Sequence, residues 1–512
     1  MRRMVDLGVL RWCRFLAGLG VLMLMLLLFP SSTAMSQPGD DVPINHIIVI
    51  YQENHTFDNL YGKFTGANNL DQADARVPQV DKSGVIYQTL PQPLDTSIKR
   101  PPDDDPRFPD NLPNAPFPIN QYVPEDQVSP SPVHRFYQHQ LQMDGGRMDR
   151  YVAWTNAGGL PMGYYDTEQL PLYPYAREYT LADNFFTAAF GGSMLNHFWL
   201  ICACTPVWPG APVDMVAQPD FDAAGTLSGL PKDGDVTPDG YVVNDVEPFY
   251  QPHKADVGAE DRMPAQTLPT VGERLSDAGV SWAWYAEGWN DALAGRPNPT
   301  LVFHHQPFVY FQEYAEGTPE RSTHLKDEQD FLTSLNNGTL PTVSFIKPDN
   351  RHDEHPGDAQ VLASEQYVAD LIEQVKNSPN WGDTAIIVTY DDFGGWYDHV
   401  APPVGDRWGP GGRVPMLIIS SYARKGYVDH TLYDTTSILK FIEWRYRLQP
   451  LSSRDGGANN LLAAFDFGQS ASAVQQGLPS SGGINILLLV VLLGIVSTVG
   501  VGMFLWHRSL QR

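Results

Sequence analysis

The sequence predicts an α/β fold: a mostly parallel central sheet sandwiched by helices, with long irregular lid insertions and a C-terminal transmembrane helix. Three observations lead there. Short β-branched, apolar runs, at 44–51, 342–346 and 384–390, lack the alternation of a half-wetted strand and fit strands buried on both faces. These runs alternate with stretches of helical spacing, as crossover-connected parallel strands require. Polar clusters follow several of the runs directly, where open α/β sheets place their ligand sites.

In chain order, Arg2, Arg3, Arg11 and Arg14 surround or precede the start of an apolar run at 16–29, and small residues follow it at 31–34. This is the order of a secretory signal, assigned to 1–36. A strand at 44–51 runs into Glu53 and Asn54. Residues 66–132 are rich in Pro, Asp, Asn and Gln and read as a surface loop or lid. Helical spacing returns at 134–154, broken at Gly145-Gly146. A strand-like run at 181–190 ends in Gly191-Gly192-Ser193 and leads into a buried helix, and 206–269 is a second Pro/Gly/Asp-rich excursion. Helix at 270–278, strand at 280–285, helix at 327–335, strand at 342–346, helix at 361–376, strand at 384–390, strand at 414–419 and helix at 435–448 complete the domain. The catalytic domain is thus placed at 37–468. A Ser/Gly/Ala/Gln-rich stalk follows at 469–485, then a span at 486–506 long enough to cross a bilayer at about 20 residues. Basic residues in the tail at 507–512 orient it toward the cytoplasm, so a single-pass cell-membrane protein with an extracytoplasmic catalytic domain is expected.

The chain has 512 residues and a net charge of −25, which argues against nucleic acid or an anionic membrane surface as principal partner. A phosphate substrate would need locally placed positive charge or a metal. Cys13 falls in the signal, and Cys202 and Cys204 are too close for an easy bridge, so no disulfide framework is expected.

Four polar clusters follow predicted strands: Glu53-Asn54, Ser193 with Asn196 and His197, 349–355 (DNRHDEH), and Asp391-Asp392. A parallel sheet would gather them on one edge. Carboxylates, an amide oxygen and a hydroxyl are hard donors suited to a divalent cation, and adjacent carboxylates repel unless one is present. Each cluster has a plainer interpretation: Gly-Gly-Ser serves as a helix cap, Asp-Asp before Gly-Gly closes a turn, and Asp398-His399 braces one. His46 reads as a satisfied core histidine, and His139 and His430 receive no role. Asn54-His55-Thr56 matches a glycosylation acceptor, but its place after a core strand weakens that reading.

Six segments together resemble one family: ENHTFDNLYG (53–62), FGGSMLNH (190–197), HHQPF (304–308), KPDNRHDEHPG (347–357), YDDFGGWYDHVAPP (390–403) and GGRVPMLIIS (411–420). In this order, over roughly 44–448, they resemble the acid phosphatase/phospholipase C phosphoesterase family of the alkaline phosphatase-like superfamily. The resemblance implies one divalent metal ion (Mg, Ca, Mn or Zn) held by Glu53, Asn54, Ser193, Asp391 and Asp392, with Ser193 as nucleophile through a phosphoserine. His305 and His355 would serve catalysis, and Asn196, His304, His134 and His352 would contact the phosphate or the leaving group. ENHTFD, the serine segment and HHQPF are closer to the acid phosphatase branch, which favours phosphate monoesters. A phospholipase C-type phosphodiesterase is the alternative, and a non-catalytic surface binding protein on an esterase fold is the alternative of another class. A sulfatase is disfavoured because Cys204-Thr205-Pro206 continues as Val207-Trp208 rather than Ser-Arg. A surface-layer role leaves the histidine-bearing loops unexplained.

Overall fold

The central sheet has eight strands: β1 (His46–Gln52), β2 (Thr180–Ala182), β3 (Trp282–Ala286), β4 (Leu325–Asp327), β5 (Val343–Lys347), β6 (Thr384–Tyr390), β7 (Met416–Ser420) and β8 (Tyr427–Asp429). Their spatial order is β4-β3-β5-β1-β6-β7-β2-β8. This structure, a computed structural model, describes residues 42–72, 77–97 and 101–468. The expected signal, stalk, membrane span and tail lie outside the described residues. Among the described residues no helix is long and apolar enough to cross a membrane.

The sheet is mixed. All pairings from β4 to β6 are parallel, and so is β2 with β8, but β7 runs antiparallel to both β6 and β2. β5 and β6 are buried along their whole length and β1 at every position after His46, as their β-branched composition requires. The principal helices are α1 (Phe57–Tyr61), α2 (Phe136–Met143), α3 (Ser193–Cys202), α4 (Val271–Asp277), α5 (Glu328–Asn337), α6 (Val361–Lys376) and α7 (Thr435–Tyr446). Capping boxes start three of them: Thr270 with Glu273, Asp327 with Asp330, and Asp434 with Ser437.

Two details of register position the site. Gln52 pairs with Tyr390, so Glu53 and Asp391 leave the sheet side by side, and the Asp391 amide donates to the Gln52 carbonyl at 3.0 Å. Because β7 runs the other way, its entry rather than its exit lies at this edge and delivers Arg413, whose carbonyl accepts from the Phe57 amide at 2.9 Å.

The structure departs from expectation in four places. The run at 181–190 is two short strands, β2 and Phe185–Phe186, the second paired with Tyr433–Asp434 instead of the main sheet. Helix at 134–154 reduces to α2 and a short 3₁₀ turn, stopped where Asp144 turns left-handed. The excursion at 206–269 carries an antiparallel hairpin, Gln218–Phe221 with Leu227–Lys232. Cys202 and Cys204 do form a disulfide: Ala203, in the left-handed conformation at the end of α3, folds the chain back to a Cα separation of 5.1 Å, within the usual range for a bridge.

Candidate active site

Ser193 opens α3, and its hydroxyl donates to Asp392 Oδ2 at 3.0 Å, with Asn54 Oδ1 at 3.4 Å. Gly192 is the N-cap and no side chain caps the helix, so Ser193 is not the cap residue that a Gly-Gly-Ser pattern suggests. The approach is tight: a Cβ on Gly192 would sit 3.0 Å from the His134 carbonyl, and one on Gly191 would sit 2.7 Å from the Phe136 backbone. Gly191 has φ +89°, which only glycine adopts without strain.

Asn54 also holds an unusual backbone, φ 132°, directly after β1. Its amide nitrogen lies 3.2 Å from His134 Nε2, while His134 Nδ1 donates to the Pro132 carbonyl at 2.8 Å. That pattern fixes the His134 tautomer and turns Asn54 Oδ1 toward Ser193. Strained residues held in this way cluster where geometry serves function. Asn54 is fully buried, so its glycosylation match is inaccessible.

Glu53 is contacted on Oε1 by Lys347 Nζ at 2.7 Å and His305 Nε2 at 2.5 Å, and His355 Nε2 lies 3.9 Å from Oε2. Burial works to raise this carboxyl, but Lys347 and His305 outweigh it and hold it well below its ordinary value. Asp391 and Asp392 go the other way. Burial pushes both well above the ordinary value, and the Glu53 charge adds to it, with Asp392 repelling Asp391 as well. Asp391 Oδ1 accepts from the Asp392 amide at 2.6 Å, but its buried Oδ2 has no hydrogen-bond partner. An orphaned carboxylate oxygen beside a second buried carboxylate, an amide oxygen and a hydroxyl fits a divalent cation.

The histidines differ in charge. Burial lowers His305 to about 3, helped by Lys347 and opposed by Glu53. Burial and the neighbouring His355 lower His134 to about 4. Burial also works against charge on His355, but its bond to Asp358, 3.1 Å from Nδ1, and the carboxylates Glu53 and Asp353 carry it up to about 9. His134 and His355 face each other with ring centroids 5.6 Å apart, so one neutral and one cationic imidazole share this side of the site. His304 lies at the mouth, 5.2 Å from the His305 ring, with Nδ1 3.9 Å from the exposed Asp245.

Contacts therefore join Glu53, Asn54, Ser193, Asp391, Asp392, His134, His304, His305 and His355. Two residues expected to contact substrate make their own bonds outside this set. Asn196 is fully buried behind the serine, its Oδ1 accepting from Ala189 and its Nδ2 donating to the Gly192 carbonyl, so it braces the loop. His352 stacks on Tyr367 and pairs with Glu287 at 2.9 Å, in a separate cluster with Asp349 and Arg351. Sequence reasoning gave no role to three contributors, one of which, His197, it had grouped with Ser193. Lys347 is fully buried against Glu53. His197 holds the Ser193 carbonyl at 2.8 Å and stacks on His305. His139 accepts from the Gly191 amide at 3.0 Å and stacks on Phe393. His197 stands one helical turn after the serine in the same motif, a signal that was there to read; His139, on a separate helix, and a lysine ending a strand carry none.

The fold and the cluster are those of an α/β protein with a polar, carboxylate-rich centre at one sheet edge; residues 44–449 match the Phosphoesterase family, and the chain belongs to it. The protein is accordingly a hydrolase acting on phosphoric ester bonds. It is similar to phospholipase C A of Mycobacterium tuberculosis, 26% identical in an alignment covering 86% of this chain and 81% of that protein. It is also similar to the non-hemolytic phospholipase C of Pseudomonas aeruginosa, 24% identical over 84% of this chain and 58% of that one. A solved alkaline phosphatase superfamily protein from Vibrio parahaemolyticus aligns at 12% identity over 63% of this chain and 70% of that one; its TM-score of 0.28 is too low to carry an argument.

Proposed function

We propose that the protein hydrolyses phosphate monoesters by attack of Ser193 Oγ on phosphorus, in a centre where Glu53, Asn54, Ser193, Asp391 and Asp392 hold one divalent metal ion. The observation that carries this reading is the Ser193 hydroxyl at the start of α3, hydrogen-bonded to Asp392 at 3.0 Å. Free amides in the first turn of α3 and the helix dipole favour the added phosphoryl charge. A metal ion held by these residues would offset the charge of the carboxylates and make the serine hydroxyl easier to deprotonate. The Oγ–phosphorus bond forms as the ester oxygen leaves, and the serine proton passes to Asp392. His355, held cationic, is the group suited to protonate the departing alcohol, and neutral His134 keeps Asn54 turned toward the serine. Water then attacks phosphorus and gives a proton to His355 while Asp392 returns its proton to Oγ, so the Oγ–phosphorus bond breaks, phosphate leaves and both groups are restored. His305 faces Glu53 and acts by orienting it, and His304 at the mouth is placed to meet the phosphate.

A second reading, a phospholipase C-type phosphodiesterase, is favoured by the names of the relatives. Hydrolysis of an aryl phosphate, a phosphodiester, phosphatidylcholine and a sulfate ester by the purified catalytic domain separates the readings. Release of phosphate from the monoester alone supports the first. Cleavage confined to the lipid or diester replaces it with the second. We also propose that the catalytic domain faces outward from a cell membrane, from the charge order of the termini; digestion by protease only after cell lysis would refute it.

A further inference from the structure

Two groups of side chains beside the serine site could take a metal ion in addition to the one proposed. Glu53, His197 and Asp391 bring ligand atoms within 4.8 Å of one another, and so do Glu53, His304 and His305. The first is fully enclosed: Glu53 is 2% exposed, and His197 and Asp391 are 0% exposed. His197 Nε2 and Asp391 Oδ2 are buried without a hydrogen-bond partner, Asp391 Oδ2 lies 3.7 Å from His197 Nδ1, and Glu53 Oε1 meets Lys347 and His305. His197 Nδ1 donates to the Ser193 carbonyl, so the opposite nitrogen, Nε2, carries a lone pair. By donor chemistry alone this is a mixed imidazole–carboxylate metal pocket.

Lys347 is what distinguishes it from one. It ends β5, is fully buried, and puts Nζ 2.7 Å from Glu53 Oε1, the carboxylate that both groups share. Asp391 and Asp353 also face this ammonium. A second metal ion bonded to Glu53 Oε1, the oxygen that Lys347 holds, would stand within about 2.6 Å of it, whereas the proposed ion has Oε2 to bind. It would then lie no more than about 5 Å from a lysine charge with no path to solvent, and like charges at that distance in a dry site repel strongly.

We propose that Lys347 is a resident cation: it occupies the charge position that a second metal ion would otherwise fill, orients Glu53 through Oε1, and so restricts the centre to a single divalent ion. Lys347 touches neither serine nor substrate and is a positioning residue. The inference rests on the proposed metal set and gives a reason why three buried carboxylates would take one ion rather than two.

The test is metal stoichiometry, read by calorimetric titration of metal-free protein with Mn²⁺ and Zn²⁺ and by elemental analysis of the loaded forms, without reference to turnover. Wild type and Lys347→Arg should each take one equivalent, and Lys347→Gln should take two. The second equivalent should vanish again in Lys347→Gln/His197→Ala, a loss that a purely structural lysine would not produce. A folded Lys347→Gln that takes one equivalent with unchanged affinity overturns the proposal. So does a wild type that takes two, a measurement that holds even if Lys347→Gln does not fold. A wild type that takes none, with Asp391→Asn indistinguishable from it, refutes the metal set itself, a different result from two.

Discussion

Replacing Ser193 by alanine separates the chemistry of the site from its architecture. The hydroxyl contacts Asp392 at 3.0 Å and Asn54 at 3.4 Å and caps nothing, because Gly192 holds the cap position. Its loss removes one hydrogen bond worth about 1 kcal/mol. Alanine returns about 0.5 kcal/mol through its better helix propensity. Net stability should therefore change by less than about 1 kcal/mol, a shift of about 2 °C in a domain of this size. Turnover should fall at least about a thousandfold, equivalent to about 4 kcal/mol on the barrier, since the covalent route loses its attacking atom. The assay is initial-rate hydrolysis of a chromogenic aryl phosphate, paired with thermal denaturation and acid-quenched labelling of the wild type by radioactive phosphate. A folded Ser193→Ala protein that keeps a tenth of wild-type turnover would refute the nucleophile assignment.

Asp391→Asn and Asp392→Asn should each strip the metal and abolish activity while the chain stays folded, seen as lost metal in elemental analysis with unchanged circular dichroism. In chelator both should be at least as stable as wild type, because each relieves repulsion with Glu53. Arg413→Met should cost about 3–5 kcal/mol in urea unfolding, because it strands the buried carboxylates of Asp58 and Asp398; a cost below about 1 kcal/mol would show those charges to be compensated by other groups. Stability should also fall as pH rises between about 5 and 8. Glu365 is fully buried, and burial pushes it up to about 8 against an unfolded value near 4.3. A raised acid binds its proton more tightly in the folded state, so its contribution is complete below the unfolded value and is lost as pH climbs to the folded one. Glu365→Gln, measured in chelator, should flatten this slope by up to about 1.4 kcal/mol per pH unit.

The central elements were legible because their sequence signals are local. β6 and α6 match the residues read from the chain, one a β-branched run ending in Asp-Asp, the other sixteen residues of unbroken helical spacing. The edge strands β4 and β8, three residues each, are too short for any period to show. The direction of β7 was not legible either, since burial on both faces erases the difference between parallel and antiparallel runs. The disulfide turned on one backbone angle, at Ala203, that composition does not encode. At the site, the oxygen donors were readable as residues following strands. The bonds of Asn196 to Ala189 and Gly192 were not legible, because its motif gives sequence proximity to the serine but not the side of the helix turn it faces. Lys347 was invisible because a lysine at a strand end is ordinarily solvated, and only the packing of β1 against β5 encloses it.

The motif YDDFGGWYDH contains an acidic pair, Asp391-Asp392, and a further aspartate, Asp398, and the fold treats the two oppositely. Asp398 joins Asp58, Arg413 and His399 in a closed network. Arg413 Nε meets Asp398 at 3.0 and 3.2 Å, Nη2 meets Asp58 at 2.9 Å, and His399 donates to Asp58 Oδ2 at 2.7 Å from both its amide and Nδ1. The remaining acceptor positions take the Asp58 and Val400 amides, at 3.0 and 2.8 Å. All four oxygens are satisfied by the chain itself, so this cluster has no vacancy for an ion and serves to lock the loop after β6 onto α1. Asp391 and Asp392 have no arginine and keep one oxygen without a partner, and Asp391 bears a repulsion from Glu53 and Asp392 that Lys347 only partly offsets. A fold can close such a centre with one guanidinium, as it does seven residues away. Leaving it open costs stability in the metal-free chain, and the cost falls where a cation, a phosphate and the Ser193 hydroxyl must meet.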